Sequence, residues 1–322
     1  MTEPLLEIRR LNVELVRDVP LKVLDDINLQ LAPGEILGVV GESGAGKSVT
    51  GAAVMRLMTR PLRQSGGEIH FNGKRIDTLP EAQMERLRGK EIAMIFQDPL
   101  TALNPVFTVG HQLIQTIRQH LPLSAAKARG RAAELLREVG IPAAEERLEN
   151  YPHEFSGGMR QRVVIALALA GEPRLIIADE PTTALDVSIQ AQIIALLLSL
   201  ARSRGMGVVL ITHDMGVIAE ACDRVAVLYA GRVAELGPVR DVLTAPRHPY
   251  SRGLIASIPR LGARLSMLSQ IPGAMPRLDA LPVGCAFAPR CPFVMDRCKS
   301  QRPEAIERAD GVQVACWLEE GQ

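Results

Sequence analysis

Residues 34–57 read GEILGVVGESGAGKSVTGAAVMRL, an apolar run that leads into a glycine-rich loop at residues 41–48. The loop matches in full the P-loop pattern, in which a glycine and four further residues precede Gly-Lys-Ser or Gly-Lys-Thr. Its glycines let backbone N–H groups turn inward around phosphate oxygens. Lys47 adds a positive charge for the β- and γ-phosphates, and the Ser48 hydroxyl suits magnesium. The loop lies between a predicted strand and a helix predicted over residues 47–57, which argues against a chance glycine-rich turn.

On either side of the loop, short apolar runs alternate with helical patterns. Buried strands separated by helices are typical of a mainly parallel sheet covered on both faces. The first forty residues read instead as alternating strands before a turn. We therefore predict an α/β P-loop ATPase fold. The strand-like runs are LEIRRLNVEL (6–15), EIHF (68–71), EIAMIFQ (91–97), RLIIAD (174–179), GVVLIT (207–212) and DRVAVLYAGR (223–232), and residues 188–205 are helical.

The alternation is interrupted once and then ends. Residues 98–158 carry helical patterns such as HQLIQTIRQ and KARGRAAELLREVG, which predicts an inserted helical subdomain over about residues 98–160. After Gly237 prolines accumulate and periodicity disappears, so we predict a nucleotide-binding domain over residues 1–237. We predict that residues 238–322 form an irregular C-terminal appendage. Something other than a large hydrophobic core would make this appendage compact.

Size and charge limit the function classes. At 322 residues the chain has room for one large domain plus an appendage, or for two domains. A formal net charge of +1 gives no electrostatic reason to expect nucleic acid as the main partner. The apolar runs are shorter than the roughly 20 residues of a membrane-spanning helix, and the N-terminus lacks the build of a signal peptide. We expect a cytoplasmic protein with indirect membrane contact.

A second acidic element follows the apolar run LIIA. Asp179 and Glu180 stand at the exit of this predicted strand, where Asp179 suits magnesium coordination through water. Glu180 is then free to polarise an attacking water as a general base or orienting group. The alternative is a strand that ends in a solvated acidic turn.

The segment FSGGMRQR at residues 155–162 offers another phosphate site. Ser156 and two glycines precede a predicted helix, so a hydroxyl, backbone N–H groups and a helix N-terminus face one point. One ATP needs one phosphate cradle, and a second cradle suggests that two chains share nucleotides. A plain helix N-cap at Ser156 is the alternative.

These motifs occur in the order and spacing of ATP-binding-cassette (ABC) ATPase subunits, which the chain resembles over essentially its whole length. The resemblance implies that Glu180, His213 and Gln97 are catalytic, with His213 holding the γ-phosphate. Magnesium would be held by Ser48, Gln97 and Asp179, and Ala184-Leu185-Asp186 resembles the D-loop that crosses a dimer interface, with Asp186 its acid. ATP contacts are implied for Gly41, Glu42, Ser43, Gly44, Ala45, Gly46, Lys47, Ser48 and Val49, and contacts to the opposite subunit's ATP for Ser156, Gly157, Gly158 and Met159.

Two positions depart from the family pattern. Its signature most often reads LSGGQ, whereas Phe155 and Met159 occupy the outer positions here. The family also places an aromatic residue upstream of the P-loop to stack on adenine. Residues 1–40 contain no Phe, Tyr, Trp or His, and Leu15 or Val16 stands near the expected place. An aliphatic side chain could take the place of that aromatic residue.

The tail resembles one branch of the family, the ATPases of dipeptide, oligopeptide and nickel importers. The similar residues are RHPYSRGL (247–254), IPG (271–273) and the cysteine cluster, together with MIFQDP (94–99) and FSGGMRQR. The dipeptide-type subunit is the most similar. It implies a second ATPase subunit, a paralogue before a copy of itself, two transmembrane permeases and an extracytoplasmic substrate-binding protein. It also implies a peripheral location on the cytoplasmic face of the inner membrane.

Four of the five cysteines lie in the last forty residues, which in a reducing compartment suggests metal binding before disulfides. Their gaps match neither a zinc ribbon nor a ferredoxin run. Cys291-Pro292 and the loop-rich surroundings favour a 4Fe-4S cluster over zinc, with metal-free thiols as the remaining alternative. We expect the tail to depend on this ligation to fold. Cys222 is interpreted as a small core residue, and the cluster cysteines are Cys285, Cys291, Cys298 and Cys316.

Other functions remain open at this point. A soluble cassette ATPase in DNA repair or translation usually carries two cassettes or a coiled-coil insertion, and this chain carries neither. A subunit that binds ATP without hydrolysis is disfavoured because Glu180 and His213 are present. A small-molecule P-loop kinase leaves the SGG segment unexplained. Import of nickel or another solute instead of peptides is compatible with the same motifs.

Overall fold

The computed structural model describes residues 3–182, 185–258 and 270–320, and gives the backbone alone at residues 99 and 100. The chain divides into two compact units. The P-loop unit comprises Met1–Leu31, Ile36–Asp77 and Ile211–Gln322, and the helical unit comprises Ala32–Glu35 and Thr78–Leu210. The tail that begins at Pro238 thus belongs to the P-loop unit.

The described strands and helices alternate along most of the chain. The strands are β1 (Leu6–Leu15), β2 (Leu21–Leu31), β3 (Ile36–Val40), β4 (Leu62–Phe71), β5 (Lys74–Arg75), β6 (Ile92–Ile95), β7 (Leu175–Asp179), β8 (Gly207–Ile211), β9 (Arg224–Tyr229), β10 (Arg232–Pro238), β11 (Ile306–Glu307) and β12 (Gln313–Val314). The helices are α1 (Lys47–Val54), α2 (Glu81–Leu87), α3 (Pro99–Ala102), α4 (Val109–His120), α5 (Ala125–Glu138), α6 (Ala144–Arg147), α7 (Gly157–Leu169), α8 (Val187–Arg204), α9 (Met215–Ala221), α10 (Val239–Thr244), α11 (Pro249–Ala256) and α12 (Asp296–Ser300).

The P-loop unit contains an antiparallel sheet in the order β2-β1-β4-β5, which includes the N-terminal strands that the alternation predicts. Leu6 and Ile8 of β1 are buried, but the alternation then slips by one residue, because Leu11 and Val13 are the next buried side chains. The register shifts between Ile8 and Leu11, and Arg10 adopts a left-handed φ of 50° there. This bulge keeps the apolar side chains on the buried face.

The P-loop unit also contains strands in the order β11-β12-β10-β9-β3. β3 runs parallel to β9, while β10 is antiparallel to both β9 and β12. Every residue of β3 is buried, as its unbroken apolar sequence predicts. The sheet is therefore mixed, and the parallel pair carries the P-loop at the end of β3.

The tail differs from its predicted character. The sequence predicts a tail without a substantial core, yet Tyr250 is fully buried and Phe287 is 2% exposed. Both rings pack on Tyr229 of β9, with centroid distances of 4.6 Å for Tyr250 and 5.2 Å for Phe287. The apolar face of β9 supplies a core that the tail shares, and β12 adds backbone hydrogen bonds to β10. Because the tail sequence has no apolar periodicity, this packing could not be predicted from it.

The helical unit holds strands in the order β8-β7-β6, with β6 and β7 parallel. Helices α3 to α6 lie between β6 and β7 in the chain, as the predicted insertion requires. Val109, Leu113 and Ile117 of α4 recur every four residues and are all buried. No helix in residues 3–182, 185–258 and 270–320 is both long and apolar enough to cross a bilayer.

Two predicted element ends lie further along the chain than the observed ones. Helix α1 ends at Val54 instead of Leu57, because Arg56 takes a left-handed φ of 50° that no continuing helix allows. Strand β6 ends at Ile95 instead of Gln97, and the next residue, Phe96, is 45% exposed.

Candidate functional site

The P-loop follows β3 in a conformation that only glycine allows. Gly41 has a φ of 149°, and a Cβ built on it would lie 2.2 Å from the carbonyl oxygen of Leu228. Gly46 has a φ of 101°, and its Cβ would lie 2.5 Å from Cδ2 of Leu24. Both glycines of the motif are therefore required by the backbone path as well as by any phosphate.

Lys47 bends back over this loop. Its side chain is buried, and Nζ donates to the carbonyl oxygens of Gly41 at 2.9 Å and Glu42 at 3.1 Å. The ammonium group is thus held at the mouth of the loop, where the motif requires a charge for phosphate. Thr50 Oγ1 donates to the Gly46 carbonyl at 3.0 Å and secures the first turn of α1, and Ser48 is exposed on that turn.

The tail contacts the P-loop, a feature that the sequence does not predict. Arg290 forms an ion pair with Glu42, and the Tyr250 hydroxyl accepts from the Glu42 backbone N–H at 2.9 Å. A Cβ built on Gly44 would lie 2.9 Å from Cε of Met275, so this tail side chain also reaches the loop. These contacts join residues more than 200 positions apart in sequence, so no local sequence pattern predicts them.

In the helical unit, the structure brings two of the predicted catalytic side chains together. Asp179 ends β7 and is buried, and Glu180 follows it with a left-handed φ of 45°. The Gln97 amide nitrogen Nε2 donates to Glu180 Oε2 at 3.1 Å. A non-glycine residue held at positive φ is uncommon. The turn after β7 thus holds the Glu180 carboxylate within hydrogen-bond distance of Gln97.

The signature segment begins α7 as predicted. Ser156 is the N-cap, and its Oγ accepts from the Met159 backbone N–H at 3.4 Å. Gly157 and Gly158 form the first turn, and a Cβ on Gly158 would lie 2.8 Å from Cγ2 of Ile189. The close approach of α8 is thus a structural reason for this glycine. Both readings of Ser156, cap and phosphate ligand, are compatible with this geometry.

Asp186, the predicted D-loop acid, is the N-cap position of α8. Leu185 lies beside the signature, since a Cβ on Gly157 would be 3.3 Å from Leu185 Cδ2. Ala184 of the same predicted D-loop lies outside the described residues.

His213 lies in the P-loop unit, two residues after the end of β8. Thr212 donates its backbone N–H to the Val39 carbonyl of β3 at 3.2 Å, so the backbone just before His213 pairs with the strand that leads into the P-loop, and the His213 side chain is exposed. Asp214 caps α9 by accepting from two backbone N–H groups. At the predicted adenine position, Leu15 ends β1 and Val16 is 46% exposed.

The four tail cysteines share one neighbourhood. Cys285 donates its backbone N–H to the Cys298 carbonyl at 2.8 Å. Burial, with a further contribution from the charges of the other three cysteines, raises the pKa of Cys316 to about 11. Across the described part of the chain, however, no three His, Cys, Asp or Glu side chains stand in an arrangement ready to hold a metal ion. Cys222 packs on the core beside Gly38, as its interpretation as a core residue predicts.

Family models match two regions of the chain. The ABC transporter model matches residues 24–183, which include the P-loop, the signature and the Asp179-Glu180 pair. The oligopeptide/dipeptide transporter C-terminal region model matches residues 234–298, which include most of β10 and most of the tail.

Curated relatives align along nearly the whole chain. A probable peptide ABC transporter ATP-binding protein of Sinorhizobium fredii is 48% identical over 316 residues, which are 97% of this chain and 94% of the relative. The dipeptide transport ATP-binding protein of Escherichia coli is 45% identical over 313 residues, covering 97% of this chain and 96% of the relative.

Solved structures of ABC transporter proteins resemble about three quarters of the chain. A dimeric ATP-binding cassette in a post-hydrolysis state, bound to ADP and Pi, has a TM-score of 0.65 and 28% identity, covering 73% of this chain and 99% of that one. The structure of cbiO1 from Clostridium perfringens, part of the ABC transporter complex cbiONQ, has a TM-score of 0.65 and 27% identity, covering 76% of this chain and 92% of that one. With relatives of 45–48% identity over more than nine-tenths of its length, the chain belongs to the family of ABC transporter ATP-binding proteins.

Proposed function

We propose that this chain is the ATP-hydrolysing subunit of an importer that takes up dipeptides or oligopeptides across a membrane. As an ABC ATPase it hydrolyses ATP to ADP and phosphate. The match of residues 234–298 to the peptide-transporter C-terminal region carries the proposal, because the cassette alone occurs in ATPases with other tasks. The named functions of the relatives, peptide and dipeptide transport, support the same solute class.

The hydrolytic step is assigned to Glu180, Gln97, Lys47 and His213. A water attacks the γ-phosphorus, the bond to the bridging oxygen breaks, and ADP leaves with its new negative charge. Glu180 accepts a proton from that water, and Gln97, which donates to Glu180 in the structure, orients the carboxylate. Lys47 and His213 would stabilise the transferring charge.

Magnesium accompanies ATP in this scheme. The exposed Ser48 hydroxyl, the Gln97 amide oxygen and the Asp179 carboxylate are oxygen donors of the kind that magnesium prefers, so these residues fit it. When bound, the ion neutralises charge on the β- and γ-phosphates.

Two subunits are proposed to share their nucleotides. Ser156, Gly157 and Gly158 would contact the γ-phosphate of the opposite subunit's ATP, and Asp186 would cross the interface. A paralogous ATPase, two permeases and a substrate-binding protein would complete the assembly. The chain itself would sit peripherally on the cytoplasmic face of the inner membrane.

Uptake and co-purification test this function together. We expect affinity purification of the full chain from detergent-solubilised membranes to recover integral membrane permeases and a second ATPase. Cells that lack the chain should lose uptake of a labelled dipeptide and keep uptake of Ni²⁺. Recovery of ribosomes or DNA without permeases would instead favour the soluble ATPase, and loss of Ni²⁺ uptake alone would favour a nickel importer.

We further propose that the four tail cysteines bind a 4Fe-4S cluster. Burial and the charges of Cys298 and Cys291 raise the pKa of Cys285, so its thiolate is disfavoured there unless a positively charged centre stabilises it. One zinc ion needs all four sulfurs within about 2.3 Å of it. A 4Fe-4S cluster instead bonds each of four thiolates to a different iron.

Metal analysis of the cysteine variants tests this assignment. The chain purified without oxygen should be brown and contain iron and acid-labile sulfide. Cys298→Ser should lose most of both, because one of four ligands is gone, whereas the matched variant Cys222→Ser should keep them. Zinc without iron would favour the zinc site, and neither metal in the wild-type chain would mean that the thiols are metal-free.

A further inference from the structure

Glu42 is a carboxylate in a loop that must receive a polyanion. It follows the first glycine of the P-loop, and its side chain is 28% exposed. Next to bound phosphates an unbalanced negative charge opposes binding, most strongly where water is partly excluded. This position therefore needs a compensating cation if the loop is to hold ATP well.

Arg290 of the tail supplies that cation. Nη1 donates to Glu42 Oε2 at 2.9 Å and Nη2 donates to Oε1 at 3.0 Å, the two-pronged geometry that makes an arginine–carboxylate pair strong. The arginine side chain is only 6% exposed. The hydrogen bond with Glu42 raises the pKa of Arg290. The charge of Glu42 is thus matched by a partner that solvent barely reaches.

The guanidinium is fixed in place on its other sides. Nε donates to the Pro272 carbonyl at 2.8 Å, and Nη2 also donates to the Gly273 carbonyl at 3.3 Å. Nη1 donates to the Tyr229 hydroxyl at 3.3 Å, and the group lies 5.8 Å from the centre of that ring. All of these contacts lie within the P-loop unit. Such a preorganised arginine loses little freedom when it pairs with Glu42.

Tyr250 holds the backbone of the same residue. Its ring is fully buried in the shared core, and its hydroxyl accepts from the Glu42 N–H at 2.9 Å. Through Arg290 and Tyr250 the tail determines both the charge and the path of the P-loop at Glu42. Met275, at Gly44, adds a third tail contact to the loop.

We propose that the C-terminal appendage is a positioning element of the ATP site, in which Arg290 neutralises Glu42 and Tyr250 fixes its backbone so that the loop accepts the triphosphate. Arg290 and Tyr250 are positioning residues, since they act through Glu42. The proposal concerns ATP binding by the chain itself, and it stands whether or not the imported solute is a peptide or the cysteines bind iron.

Nucleotide titration of the full chain tests this role. Arg290→Gln leaves Glu42 charged and unpaired, and should raise the dissociation constant for ATP about 10- to 100-fold. In the assembled transporter its KM for ATP should rise while kcat at saturating ATP stays within about twofold, because uniform binding is lost. The double variant Glu42→Gln/Arg290→Gln removes the unpaired charge and should recover ATP affinity to within about threefold of wild type.

Controls separate this role from a structural one. Arg277→Gln removes another tail arginine, 84% exposed and paired with Asp279, and should leave ATP affinity unchanged. A double variant as weak as Arg290→Gln would overturn the proposal, because lost packing is not restored by neutralising Glu42. If Arg290→Gln does not fold, Tyr250→Phe decides. It keeps the buried ring and should weaken ATP binding about 3- to 10-fold, and unchanged affinity would overturn the proposal.

Discussion

Glu180→Gln is expected to lower ATP turnover by at least about 100-fold while leaving ATP binding intact, because general-base catalysis contributes 10²–10⁴ in rate. The amide has the same shape as the carboxylate but cannot accept the proton of the attacking water. Its oxygen can still accept from Gln97 Nε2, which lies 3.1 Å from Glu180 Oε2, so the local geometry should survive. Phosphate release by the assembled transporter and titration of the chain with ATP measure the two effects separately.

Glu172→Gln is a matched control for this experiment. Glu172 also lies in the helical unit and also has a positive φ, 58° against 45° for Glu180. Its side chain is 57% exposed and lies 3.8 Å from Arg131, away from the proposed machinery. Turnover should be unchanged in this variant. Near-normal hydrolysis by Glu180→Gln, or equal loss in both variants, would exclude Glu180 as the general base.

Gly41→Ala should abolish detectable ATP binding and lower the free energy of unfolding by about 3 kcal/mol or more. The new Cβ would stand 2.2 Å from the Leu228 carbonyl oxygen, on backbone that cannot move aside cheaply, and alanine disfavours a φ of 149°. The start of the P-loop would then shift away from its phosphate-binding path. Thermal denaturation and ATP titration of the purified chain measure both consequences.

Gly130→Ala makes the same chemical change as Gly41→Ala, but we expect the opposite effect on stability. Gly130 lies in α5, and a Cβ there meets nothing within 4 Å. Alanine is the better helix former by about 1 kcal/mol, so this variant should be slightly more stable and bind ATP normally. An Ala at Gly41 that binds ATP like the wild type would contradict the strained path described for the loop.

The sequence predicts those parts of the molecule that local pattern determines. β1 covers residues 6–15 as the alternation predicts, and β3 leads into the P-loop and α1 in the predicted order. At the end of α1, one residue explains the difference between the predicted and the observed helix. The left-handed Arg56 stops α1 three residues before the predicted end, and hydropathy does not encode that angle.

Local sequence patterns likewise predict only part of the candidate site. Residue types and spacing predict the P-loop and the Asp179-Glu180 pair, whereas Gln97 came only from the family resemblance, since a lone glutamine carries no pattern. The Arg290–Glu42 pair was missed altogether. Its partners are 248 positions apart, and the aromatic packing that joins the tail to β9 has no period to detect.

That separation also orders events during synthesis. A ribosome that adds about 5–20 residues per second needs about 12 to 50 s to travel the 248 residues from Glu42 to Arg290. For that interval the nascent P-loop carries its carboxylate without the arginine that balances it. A nascent chain that has not yet reached Arg290 should therefore bind ATP more weakly than one in which the Arg290–Glu42 pair has formed.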